Sequence, residues 1–86
     1  DDGASKALKS GKSLLPSGIT KVSGVFKKGD NILIVDNNNL NVARALSSFT
    51  SEEINKIKGL QSTQIENILG YASKSEIVHK DDIVIL

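Results

Sequence analysis

Gly11-Lys12-Ser13 carries the residue types that cradle a nucleotide phosphate: backbone amides, a cation and a hydroxyl. The full phosphate-binding pattern is G-x-x-x-x-G-K-[ST], set after a buried strand and before a helix. It demands a glycine five residues before Gly11, and that position holds Lys6. The chain opens on Asp1-Asp2-Gly3 rather than an apolar strand, and Pro16 and Gly18 interrupt any helix that would follow. A nucleotide-binding loop is therefore excluded. What remains is a glycine-bounded loop that presents a lysine and leads onward to Ile19.

Three other groups could do chemistry. Glu52-Glu53 stand at an expected helix start, where the peptide dipole favours negative charge, so they read as capping residues. Asp81-Asp82 beside His79 have the makings of an acid–base or metal cluster. In a turn between strands, however, such residues commonly bond backbone amides, and that is the expectation here. Ser13 or Ser17 as a nucleophile would need a base, and His79 is the single histidine. With no orienting partner or oxyanion site in view, no catalytic, cofactor-binding or metal-ligating residue is assigned. The absence of cysteine excludes thiolate ligands and disulfides and fits a cytoplasmic protein.

Charge is distributed unevenly. Residues 1–29 hold six lysines against two aspartates, whereas residues 30–86 hold five basic and eight acidic residues. Lysines on one face could meet a polyanion, although they also dress any solvated surface. The aromatic residues are Phe26, Phe49 and Tyr71, too few for a base-stacking platform, and Phe26 and Phe49 are expected in the core. If a nucleic acid is bound, a structured RNA held through its phosphates by Lys12, Lys21, Lys27 and Lys28 is the form that fits.

Eighty-six residues, 38% of them hydrophobic, suit one domain with a modest core. No apolar run approaches the roughly 18 residues of a membrane span. A short helix is predicted over Ala4–Lys9, capped by Asp2 and ending near Gly11. Strands follow at Ile19–Val25, Asn31–Asp36 and Val42–Phe49, joined by turns at Lys28-Gly29-Asp30 and Asn37-Asn38-Asn39. The run Ile32-Leu33-Ile34-Val35 suits a strand covered on both faces. Thr50 and Glu53 form a capping box for a helix that buries Ile54 and Ile57 and stops at Gly59. Ser62 or Thr63 caps a second helix that ends at Gly70. Ile77-Val78 and Ile83–Leu86 read as short closing strands. The pattern predicts a mainly β, α+β domain: a small barrel or sandwich with helical decoration.

Taken in order, these pieces resemble a PUA domain. Asp1-Asp2-Gly3-Ala4, a short helix and Gly11-Lys12-Ser13-Leu14-Leu15-Pro16-Ser17-Gly18-Ile19 match the opening of that family. Gly29-Asp30, Val42-Ala43-Arg44, Ser51-Glu52-Glu53, Ile57-Lys58-Gly59, Leu69-Gly70-Tyr71 and Val78-His79-Lys80-Asp81-Asp82 continue the match. The combination is most similar to the PUA domains at the C-terminus of bacterial glutamate 5-kinases. Ala45 stands where that family commonly has glycine. The resemblance implies a PUA-like pseudo-barrel of short mixed strands, with residues 1–86 forming one domain and a first strand missing before residue 1. It implies that the ATP- and magnesium-dependent kinase domain lies elsewhere in the parent chain, and that this segment regulates or assembles a homo-oligomeric enzyme. The alternative it implies is an RNA-binding surface made of Lys9, Gly11, Lys12 and Ser13, with Lys21 from the next segment.

Overall fold

Ala4 and Leu8 fall on one side of the first helix, and that spacing decides how the helix sits. In the computed structural model, which describes residues 2–71 and 74–86, α1 spans Asp2–Lys9. Leu8 is buried in the core and Ala4 packs beside it. Lys6 and Lys9 occupy the last turn, where the helix carbonyls favour cations. The helix already includes Asp2, so Asp2 does not stand ahead of it as the cap that the sequence suggests.

The sheet has three strands, β1 (Asn31–Val35), β2 (Asn41–Leu46) and β3 (Ile83–Ile85), in the order β1-β2-β3. Both pairings are antiparallel, with Leu33 opposite Arg44 and Arg44 opposite Val84. Asp36 organises the β1–β2 turn: its carboxylate accepts the N–H groups of Asn38 and Leu40 at 2.8 and 3.0 Å. Asn39 takes the left-handed conformation expected of an asparagine turn, with φ 61°. Register slips between Ile34 and Val35, leaving Val42 as the extra residue of β2. That bulge turns Val42 inward beside Ala43, so simple alternation fails and both are buried.

Three expected strands are trimmed or lost. The return strand stops at Leu46, and Ser47, Ser48 and Phe49 are all buried beyond it. The Ser47 hydroxyl bonds the Phe49 carbonyl, and the Ser48 N–H donates to the Ile77 carbonyl. Ile19–Val25 is not a strand. Its alternation finds no pairing partner, and Val25 is 96% exposed. Ile77-Val78 reduces to one isolated bridge, Leu14 with Val78.

Helix α2 (Ser51–Ile57) begins as the sequence predicts. The Thr50 hydroxyl accepts the Glu53 N–H and the Glu53 carboxylate accepts the Thr50 N–H. Ser51, also buried, exchanges hydrogen bonds with the backbone of Phe26, which holds the 19–26 segment against the helix start. Beyond α2, neither Ser62 nor Thr63 caps the next helix. Gln61 and Gln64 form a box around a single 3-10 turn, and Ser62 donates instead to the Ser75 carbonyl. Helix α3 (Ile65–Leu69) then ends at Gly70, whose φ of 84° is the left-handed cap expected there. Phe49, Leu8, Ile57, Ile77 and Val78 are among the most completely buried apolar side chains. They draw the helices, the sheet and the bridge into one core, and Phe26 packs on its border.

Candidate functional site

Gly11 is needed by the helix before it. After α1, the Gly11 N–H donates to the Leu8 carbonyl and the Lys12 N–H to the Ala7 carbonyl. This crossed pair is the Schellman closure, and it requires a left-handed residue at Gly11, where φ is 82°. The glycine that invites a phosphate-loop reading is a helix cap. Lys12 is thereby directed outward and is exposed, as is Lys9.

The chain then runs beside a segment far away in sequence. Leu14 and Val78 pair: the Leu14 N–H donates to the Val78 carbonyl, and the Ile77 N–H to the Leu14 carbonyl. Beside this bridge, the Ser13 hydroxyl accepts the Lys80 N–H at 2.9 Å. His79 caps a 3-10 turn over Lys80–Asp82: its Nδ1 accepts the Asp81 N–H at 3.1 Å, with the Asp81 carboxylate 3.5 Å away. An Nδ1 that accepts from an amide leaves the ring proton on Nε2. The bond from the Asp81 amide to His79 holds the turn together, the backbone-bonding role the sequence suggests for this cluster. Among the described residues no group of three metal-ligating side chains assembles.

The loop and the turn therefore bring exposed Lys9, Lys12 and Lys80 onto adjoining stretches, with half-exposed His79 beside them. Sequence reasoning placed His79 in the turn but missed Lys80 as a neighbour of the loop; Lys80 lies 67 residues from Ser13 in the chain and carries no local sign of the pairing. The other lysines disperse. Lys21 lines a groove of about 680 Å³ between α1, the 18–26 segment and β1. Lys28 lies near Glu53, where its charge acts on the carboxylate.

Glu53 centres a second polar cluster. Besides Thr50, it accepts the hydroxyl of half-exposed Tyr71. Burial pushes the Glu53 carboxyl up, but the Thr50 amide, the Tyr71 and Thr50 hydroxyls and the Lys28 charge outweigh it and hold it below the ordinary value. Tyr71 is raised because its hydrogen bond to Glu53 is made by the protonated phenol. The groove beside β1 is mostly apolar, bordered by Leu8, Ile19, Val22, Phe26, Ile32 and Ile34.

Comparison with known proteins decides the family. The sequence matches the PUA domain profile over residues 1–69. The chain belongs to the PUA domain family. This PUA domain is 63% identical over 84 residues to a protein named glutamate 5-kinase from Pelagibacter ubique, covering 98% of the chain and 23% of that protein. It is 49% identical over 87 residues to the glutamate 5-kinase of Caldanaerobacter subterraneus, covering all of the chain and 23% of the relative. The similarity to the Rhizobium etli enzyme is 49% over 84 residues, with 22% of that protein covered. The PUA domain thus spans less than a quarter of the curated relatives it matches. Its α+β arrangement, with a three-stranded sheet and three short α-helices, is consistent with the family fold.

Proposed function

We propose that this PUA domain is a noncatalytic regulatory and assembly module of a cytoplasmic, homo-oligomeric glutamate 5-kinase. The observation that carries the reading is similarity across at least 98% of the chain to enzymes of that name, of which it makes up only 22–23%. In this reading the ATP- and magnesium-dependent phosphorylation of the glutamate side chain, the entry to proline biosynthesis, belongs to the kinase part of the longer polypeptide. Three polar side chains that could suggest chemistry bond the domain's own backbone: Ser13 to Lys80, His79 to Asp81 and Glu53 to Thr50. The family reading also puts a strand ahead of α1. The apolar groove along the unpaired edge of β1 would receive it by ordinary strand addition.

The test compares the whole kinase with a version lacking residues 1–86. Loss or shift of proline inhibition, turnover or oligomeric mass is expected. An enzyme unchanged in all three would overturn the regulatory role.

A second reading is supported by the juxtaposition of Lys9, Lys12 and Lys80 around the Gly11–Ser13 loop: an RNA-binding surface that grips phosphates, to which the groove lysine Lys21 could add. Binding of a structured RNA should then weaken steeply with salt and fall in Lys12→Ala. Salt-independent binding that survives Lys12→Ala would reject it.

A further inference from the structure

We infer that the outward face of the three-stranded sheet docks onto the kinase part of the same polypeptide, with Arg44 received by a carboxylate there. This rests on the reading of the domain as a glutamate 5-kinase module. The register aligns Leu33, Arg44 and Val84 in one row across β1, β2 and β3. Leu46 lies two residues along β2 on the same side. Leu33, Leu46 and Val84 are 43%, 45% and 66% exposed. A sheet with one solvated face ordinarily alternates to polar residues on that side; here, Arg44 apart, the polar ones, Asn31 and Asn41, sit at the ends of their strands. The unbroken apolar run of β1 is the pattern of a strand covered on both faces, yet this domain covers only one. The second cover must come from outside it.

Arg44 gives the face its chemistry. Its guanidinium makes no ion pair or side-chain hydrogen bond among the described residues. It lines a shallow hollow of about 310 Å³ with Leu46, Val84, Asp81 and Asp82. A partner would fill that hollow with an apolar side chain and offer Arg44 a carboxylate, a geometry that the planar fork binds in two-point fashion.

Two observations select the occupant. Residues Ala4 and Ser5 of α1 border the same groove as Leu33 and Val35, so the start of α1 lies toward the β1 edge of the sheet, close to this face. More than three quarters of the relatives' length lies outside the segment. A tethered partner is present at high effective concentration, so a patch of this modest size suffices. A second copy of the domain fits less well. Arg44 stands at the middle of the row, and a two-fold contact centred on that row would bring it against its own mate.

The experiment places the photo-crosslinker p-benzoylphenylalanine at Val84 of the whole kinase, with Leu46 as a second exposed site and Glu66 on α3 as the control. Adducts from Val84 and Leu46 are expected in peptides of the kinase part, with none from Glu66. They should be lost when Arg44→Glu is added. Adducts confined to residues 1–86 of another copy, or no protein adduct from either site, would overturn the docking. A crosslink to the kinase part in an enzyme indifferent to deletion of residues 1–86 would leave the docking standing and remove only the regulatory role.

Discussion

The Ser13 hydroxyl accepts the backbone N–H of Lys80 at 2.9 Å, across 67 residues of chain. The serine that completes an apparent phosphate-binding tripeptide is thus a tie between the first loop and the last turn. Together with the Leu14–Val78 bridge it brings the chain segments that carry Lys12 and Lys80 alongside each other.

Removing that tie should cost little stability but loosen the loop. In Ser13→Ala the Lys80 N–H, exposed at the surface, can turn to water, so the loss is expected at the low end for a hydrogen bond, about 0.5–1 kcal/mol. Amide hydrogen exchange at Lys80 in the whole enzyme should accelerate. Unaltered exchange there would mean that the tie contributes nothing to local order.

The cap of α2 should be worth more. Thr50→Ala deletes the acceptor of the Glu53 N–H at 3.1 Å, and about 1 kcal/mol of stability should go with it. Glu53→Gln keeps an oxygen for the Thr50 N–H and should be milder. Denaturant unfolding of the two variants checks the order.

Acid and alkali should act on opposite partners of one hydrogen bond. Glu53 is depressed in the fold, so its contribution is present above the ordinary glutamate value of 4.5 and is lost as pH falls below it. Tyr71 is raised, so its contribution is present below the ordinary value of 10.0 and disappears as pH climbs past it. Tyr71→Phe should abolish the alkaline loss and move the Glu53 titration upward, because one of the bonds that favour its carboxylate is gone. NMR titration of the Glu53 carboxyl carbon reads the shift directly; an unmoved titration would show that the two side chains are not coupled.

Core truncation should separate by size. Phe49 and Ile57 are almost wholly buried, at 1% and 0% exposure. Phe49→Ala should cost roughly 3–5 kcal/mol and Ile57→Val about 0.5–1.5 kcal/mol. Thermal unfolding measures both, and a larger penalty for the methyl deletion than for the ring deletion would contradict the packing described.

What the sequence could reveal was chemistry that acts within a few residues. Thr50 and Glu53 cap α2 because they stand three apart, Gly70 adopts left-handed backbone because it has no Cβ to clash and Asn39 because its side chain tolerates it, and Pro16 opens a 3-10 turn where its fixed φ suits the first position. The full-length order of short motifs likewise carried the family. The expected Ile19–Val25 strand failed for the opposite reason. Alternation supplies the faces of a strand, but a strand also needs a neighbour to accept its hydrogen bonds, and none is supplied to this segment among the described residues.

The same division runs through the candidate surfaces. Lysine content and the glycine-bounded loop are written in the sequence, and so is the apolar run of β1. Only the tertiary structure brought Lys80 and His79 to Ser13, sent Lys28 to Glu53, joined Tyr71 to the α2 cap and aligned Leu33, Arg44 and Val84 across three strands. Local propensities are set by backbone sterics and short hydrogen bonds, which the sequence carries directly. Pairings across dozens of residues are set by which arrangement buries Leu8, Phe49, Ile57, Ile77 and Val78 together, and that is a property of the whole chain.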